Sequence, residues 1–321
     1  MKRLAIIIAY LVLSLTAVAG TFTLMALTSS TAYAHDSDSS DAGASRNVDE
    51  SRPLNATGEL RVDNLAGTVK VAAWDKNEVR VTGSLGELVQ KLKIEGDASS
   101  LEIKVVLPHG DMHDDDCGSC ADLQIQVPKG VRLEVSTVSA DVQANGLSGQ
   151  VRIGTVSGGI VMNSEASHIE AKTVSGDIQL VGSGKGASID ANSVSGTERI
   201  SDVDGRVDAE NVSGDMRIAS RHVSGLKMSS TSGNLSFDGA LLKGGNYDLN
   251  NVSGDVELVV GSSPDARFDI SSFSGDIDNS FGPKATRVSK YSPGMELHFS
   301  SGSSSATVTA RTLSGDIHLQ N

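Results

Sequence analysis

Thr173-Val174-Ser175-Gly176-Asp177-Ile178-Gln179-Leu180 is the cleanest copy of a phrase that this chain of 321 residues writes nine times between Thr137 and Leu319. Its Ser-Gly step recurs at Ser157-Gly158, Ser175-Gly176, Ser195, Ser213-Gly214, Ser232, Ser253-Gly254, Ser274-Gly275 and Ser314-Gly315, with Ser139-Ala140 as a degenerate first copy. Successive intervals are 18, 18, 20, 18, 19, 21, 21 and 40 residues, so the last spans about two periods and predicts a degenerate copy near Met295 to Phe299. Asp follows Ala140 at Asp141 and the Gly at Asp177, Asp215, Asp255, Asp276 and Asp316, and Gly159, Thr197 and Asn234 take its place in other copies.

The parity of apolar residues says what such a unit builds. In the copy above, Ile169, Ala171 and Thr173 share one parity, and Val174, Gly176, Ile178 and Leu180 share the other. A one-residue slip in a period-two pattern turns a straight strand inside out, so the chain must bend at Thr173-Val174. The slip recurs at Thr155, Asn211, Ser230, Asn251, Ser272 and Thr312. A unit of about 20 residues with two short strands and a corner is too short for a strand-helix repeat. It fits an all-β, single-chain β-solenoid (β-helix) whose rungs bury their apolar rows against neighbours. About ten rungs at the ~4.8 Å strand spacing make a rod on the order of 50 Å long. An antiparallel meander of ten-residue strands has the same period and stays open. Aromatic residues are only 3% and glycines number 34, which suits a narrow interior and tight corners. A short helix competes with strand only at Glu87 to Gly96.

Residues 1–34 have the pattern of an export signal: Lys2 and Arg3, an apolar run from Leu4 to Leu27, then Ala32-Tyr33-Ala34 as a small-x-small cleavage site. The run is long enough that an uncleaved anchor is the alternative, and membrane contact is expected only in that case. Residues 35–53, acidic and rich in Ser, are expected to be a disordered linker. Residues 54–130 are expected to form an N-terminal β-strand cap, and residues 131–321 the solenoid. The expected location is the periplasm, the cell surface or the medium. Of 27 basic residues, 25 remain without Lys2 and Arg3, against 40 acidic ones, a balance of −15 that argues against nucleic acid as a partner.

Three stretches together carry a family resemblance: Gly67-Thr68-Val69-Lys70-Val71-Ala72-Ala73-Trp74-Asp75 with Val79-Arg80-Val81; Asp122-Leu123-Gln124-Ile125-Gln126-Val127-Pro128-Lys129-Gly130; and the Val-Ser-Gly-Asp-Ile copies. The chain from Leu54 to Asn321 resembles the bacterial putative-adhesin proteins, exported β-strand-repeat proteins of unknown function. The resemblance implies an exported β-solenoid without an established biochemical activity, linked in some relatives to envelope stress.

One cluster outside the repeat has chemistry in it: His109-Gly110-Asp111-Met112-His113-Asp114-Asp115-Asp116-Cys117-Gly118-Ser119-Cys120. His109, His113, Cys117 and Cys120 have the donor types of a zinc or copper(I) site. As the only two cysteines of a chain with an export signal, Cys117 and Cys120 are expected instead to form a disulfide, and a redox role is the third option. The repeated Asp is expected to cap local amides of its turn, not to bind calcium. No cofactor is expected. No copy holds a nucleophile beside a base, and few aromatic residues are left for a sugar groove, so a polysaccharide-active enzyme ranks last. The expectation is a non-enzymatic envelope scaffold or adhesin whose partner is an envelope or surface protein or a glycan; the alternative is a metal- or ligand-binding module built on the His109–Cys120 loop.

Overall fold

The computed structural model describes residues 46–108, 120–182, 184–290 and 293–321. Within them twenty-five strands join in one continuous, mostly parallel arrangement, and there is no helix. Each regular rung has two strands separated by the Ser-Gly corner. His168–Ser175 and Ile178–Gly182 form one, Lys185–Ser195 and Glu198–Ser201 the next. First strands pair in parallel only with first strands and second strands with second strands, with Ser175 opposite Ser195, Ser195 opposite Ser213, and Ser213 opposite Ser232. The molecule is therefore a two-sheet β-solenoid, with all corners on one edge and the return turns on the other. The antiparallel meander is excluded.

Between the sheets lie the alternating inward residues. In the Ser175 rung these are Ile169, Ala171, Ile178 and Leu180, each at most 1% exposed. Their apolar neighbours in adjacent rungs stack at the same positions, so each rung completes its core on the next. Tyr247 and Phe237 extend the same rows, their ring centroids 5.6 Å apart.

The order of the rungs departs from the order of the chain at both ends. The strand Glu59–Trp74 is a whole bent rung that lies on Arg132–Asn145 on one side. On its other side lie Ser100–Val106 and Cys120–Pro128, which together form the outer rung. At the C-terminal end, Ala306–Ser314 and Ile317–Gln320 slot between the Ser253 rung and the Ser274 rung. Each terminal rung of the chain is thus clamped between two others. Antiparallel strands cover the exposed edges: Glu78–Leu85 on Cys120–Pro128, Lys91–Gly96 on Ser100–Val106, and Met295–Ser300 on Ala266–Ser274. Such covering blunts a sheet edge that would otherwise template pairing with another chain.

Three expectations need correction, and one open choice is settled in favour of strand. Residues 46–53 of the expected linker form a strand, Arg46–Pro53, antiparallel to Glu78–Leu85. An edge strand needs few apolar residues: main-chain bonds hold it, with Arg80 donating to Asp49 at 2.9 and 2.8 Å. Parallel stacking begins at Glu59, not at residue 131, because Glu59–Trp74 pairs in register with Arg132–Asn145. Met295–Ser300 is an antiparallel cover and not a further rung. The stretch from Glu87 to Gly96 is a turn followed by the strand Lys91–Gly96, its Ile94 packed on the core.

Candidate functional site: the corner ridge

Each corner spends four residues, Val-Ser-Gly-Asp, between the last inward side chain of one sheet and the first of the other. Stacking turns these into four columns along the rod.

The glycine column is the tightest. A Cβ on Gly176 would lie 2.1 Å from the carbonyl oxygen of Gly158, and the same contact of 2.1 Å recurs from Gly196 to Gly176, Gly214 to Gly196 and Gly233 to Gly214. Each glycine is in effect the seat of the next. Its N–H donates across the gap, from Gly214 to the Ser232 carbonyl at 2.9 Å and from Gly254 to that of Ser314 at 2.9 Å.

Behind this column, inside the rod, runs a buried polar one: Thr137, Thr155, Thr173, Ser193, Asn211, Ser230, Asn251, Thr312 and Ser272, none more than 7% exposed. These are the residues of the parity slip. Asn211 donates to the Gly196 carbonyl at 2.9 Å, Asn251 to those of Gly233 and Gly254 at 2.8 and 3.0 Å, and Ser272 to that of Gly315 at 3.0 Å. A polar residue is needed there because the bend leaves buried carbonyls that apolar side chains could not satisfy.

The aspartate column caps between rungs. Asp177 accepts from the amide of Thr197 at 2.7 Å, Asp215 from Asn234 at 2.8 Å, Asn234 from Asp255 at 3.0 Å, Asp255 from Asp316 at 2.8 Å, and Asp316 from Asp276 at 2.8 Å. The expected cap within a turn is therefore a cap on the neighbouring copy, since the amide it reaches belongs to the equivalent corner residue of the next rung.

The fourth column overturns the expectation that Val174 faces inward. The corner needs all four residues to turn, so the inward row resumes only at Ile178, and the residue before the Ser points out. Val138 is 45% exposed, Val156 40%, Val252 38%, Leu313 52% and Phe273 56%, with Val174, Val194 and Val212 half-buried between them. In spatial order the row ends Val252, Leu313, Phe273, because the last two rungs are exchanged. A groove of about 480 Å³ lies against that end, lined among others by Phe273, Leu313, Val288, Met295, Arg311 and Glu296.

One position breaks the core. Glu198 occupies the inward slot held by Ile178 and Met216 in the adjoining rungs, is 1% exposed, and has no hydrogen-bond partner for either carboxylate oxygen. Burial, with the charge of Glu210 behind it, pushes its pKa up to about 8 against a weak opposing pull from the Ser193 main chain. The hydroxyl of Ser193, in the same rung, is also without a partner. Parity could have exposed Glu198, since it stands where the phrase elsewhere has Ile, Met, Leu or Val.

Of the residues expected to carry chemistry, His109, His113 and Cys117 lie outside the described residues. Cys120 is half-buried at the start of its strand, and its carbonyl accepts from the Gly86 amide at 2.8 Å. Val106 ends one strand of the outer rung and Cys120 starts the other. Among the described residues no group of three or more His, Cys, Asp or Glu converges as metal ligands.

A family model, Toastrack DUF4097, matches residues 202–320, which hold the corners from Ser213 to Ser314. The chain is similar to that family over those rungs, and this supports the resemblance to adhesin-like proteins of unknown function. Solved structures with some likeness include a putative adhesin from Bacteroides fragilis, 9% identical, with 85% of this chain and 97% of that one covered and a TM-score of 0.37. Others are a putative cell adhesion protein from Clostridium sporogenes, 10% identical, covering 86% and 99% with a TM-score of 0.30, and a putative lipid binding protein from Parabacteroides distasonis, 10% identical, covering 87% and 98% with a TM-score of 0.32. No curated protein matches the chain.

Proposed function

We propose that the protein is an exported, non-enzymatic β-solenoid of the cell envelope that serves as an adhesin-like scaffold, in the setting of envelope stress. One observation carries this reading: the polar groups the chain repeats most faithfully are spent on holding the corner together. Asp177, Asp215 and Asp255 bond amides of neighbouring rungs, and Asn211 and Asn251 bond the glycine carbonyls. Repetition here serves a long, regular surface, and a rod that displays such a surface fits contact with an envelope protein or glycan better than turnover of a substrate.

Fractionation of cells producing the chain with a C-terminal tag tests the location. The tag is expected in the periplasm, on the surface or in the medium, with His35 as the new N-terminus. Full-length tagged protein confined to the cytosol would end the envelope scaffold. For the Cys117/Cys120 pair the proposal is a disulfide: thiol titration of exported protein should find none free, and one tightly held zinc, lost in Cys117→Ser/Cys120→Ser, would replace the disulfide with a metal site.

A further inference from the structure

The outward apolar column has no task in the fold, since its members face away from the core while the inward rows are complete without them. Its side chains are largest where the rod ends: Leu313 and Phe273, 52% and 56% exposed, with Val288 beside them at 51%. Met295 and Val288 line the same groove as Phe273 and Leu313, so this end of the ridge offers a recess. Exposed apolar surface of this kind, concentrated and rimmed by polar residues, marks a contact site.

The charge around the groove says what kind of partner fits. Along most of the ridge a neutral residue separates the carboxylates: Gly159 between Asp141 and Asp177, Thr197 between Asp177 and Asp215, Asn234 between Asp215 and Asp255. The last three rungs lack that spacing, since all three copies carry Asp, and Asp255, Asp316 and Asp276 stand in consecutive rungs, about 4.8 Å apart. Each lies three residues beyond the exposed apolar residue of its own rung, Val252, Leu313 or Phe273. Like charges in register repel, and a cation relieves them. Among the described residues that line the groove itself, Glu296 is the one carboxylate and Arg311 the one cation, with Arg287 preceding Val288 in the chain, so the excess of negative charge comes from the adjacent aspartate row. A second copy of this acidic chain would bring like charge against like, and so would an anionic lipid surface.

We propose that the groove at the C-terminal end of the ridge docks a cationic polypeptide segment, an apolar side chain of which enters between Phe273, Leu313, Val288 and Met295 while its Lys or Arg residues face Asp255, Asp316 and Asp276. The proposal rests on the scaffold reading and names the class of partner. The two fail separately: a cytosolic location would end the envelope role without touching the groove, and a failed binding assay would end the groove without moving the protein.

The probe is a labelled decapeptide alternating Lys and Leu, titrated against the exported protein at near-physiological salt with fluorescence anisotropy as readout. The wild type is expected to bind it at least about tenfold more tightly than peptides alternating Lys with Gly or Glu with Leu, because both the anchor and the charge are needed. Phe273→Ser/Leu313→Ser should lose about tenfold with an unchanged melting temperature. Val288→Ser in the same groove supplies the same test should that pair fail to fold. Asp276→Asn/Asp316→Asn, in which the amide oxygen at 316 still accepts from the main-chain N–H of residue 276, should lose severalfold, and Val161→Ser, exposed on the second sheet, should lose nothing. The proposal is overturned if the Lys-Gly peptide binds as well, if the wall variants bind like wild type, or if no peptide binds. It is equally overturned if the wall variants instead abolish self-association in sedimentation, or adsorption to anionic vesicles, either of which would identify a different occupant.

Discussion

The two edges of the rod are made by the same chain under opposite constraints. On the corner edge every copy of the phrase turns in four residues with Ser second and, after the first copy, Gly third, and a methyl group on any of these glycines would strike the carbonyl of the copy beside it at 2.0 to 2.3 Å. On the return edge the turns differ in length and composition, and the glycines are mixed: Cβ positions on Gly186, Gly244 and Gly261 meet nothing within 4 Å, whereas those on Gly149, Gly205 and Gly239 would lie 2.0 to 2.1 Å from a carbonyl of the adjoining rung. Sequence repetition thus follows contact between rungs. Where a residue sits on its own counterpart, its type is fixed for the whole stack; where a turn faces solvent, length and residue are free to vary.

The contrast is broken most severely by a side chain in the glycine column. Gly214 has φ +134° and a virtual Cβ 2.1 Å from a backbone oxygen, whereas Gly261 has φ +75° and open space. Gly214→Val is expected to cost on the order of 4 kcal/mol or more, or to prevent folding, since backbone must move in two rungs. Gly261→Ala should cost only about 1 kcal/mol for its left-handed backbone. Urea midpoints for the two variants check this, and equal values would remove the claim that stacking dictates the corner.

The next effect comes from Glu198, a core position that disobeys the stack. Its pKa is near 8 in the folded rod and near the ordinary glutamate value in the unfolded chain. Between those values the folded state holds a proton that the unfolded state has lost, so the contribution of this group to stability is greatest at low pH, falls as pH rises from about 4.5, and levels off above about 8. The loss is on the order of several kcal/mol. Glu198→Ile, which copies the Ile178 position, should raise the melting temperature at pH 8 and flatten its fall between pH 5 and 8; an unchanged pH profile would mean that the carboxyl is solvated.

Much of this was legible in the sequence because it depends on periodicity. The period, the corner and the solenoid follow from the parity slip and the Ser-Gly steps. What stayed hidden depends on which rung is whose neighbour. The exchange of the Ser274 and Ser314 rungs leaves no mark in local pattern, since both copies have the same phrase and only long-range pairing orders them. The outward face of Val174 was missed because parity was counted straight through a corner that takes four residues to turn. Strand Arg46–Pro53 was missed because an edge strand is held by main-chain bonds that composition does not record.

Smaller effects sharpen the same comparison. Asn251→Ala removes a buried donor to two glycine carbonyls and should cost about 1 to 3 kcal/mol. Asp215→Ala, which loses one solvent-exposed cap on Asn234, should cost no more than about 1 kcal/mol, and Asp215→Asn less still. Thermal melts of the three variants rank them. A larger loss at Asp215 than at Asn251 would place the corner's stability in its outer columns and not in its buried one.

The stacking itself, including its exchanged order, can be read by disulfide trapping in a Cys117→Ser/Cys120→Ser background. Residues directly opposite on neighbouring parallel strands lie about 4.8 Å apart, within reach of a disulfide, and those two rungs apart lie near 10 Å and out of reach. With cysteines replacing the corner serines, the pairs Ser213/Ser232, Ser253/Ser314 and Ser274/Ser314 should cross-link under mild oxidation, and Ser253/Ser274 should not. Cross-linking of Ser253 with Ser274, and none of Ser253 with Ser314, would mean that the rungs stack in chain order and would contradict the architecture described above.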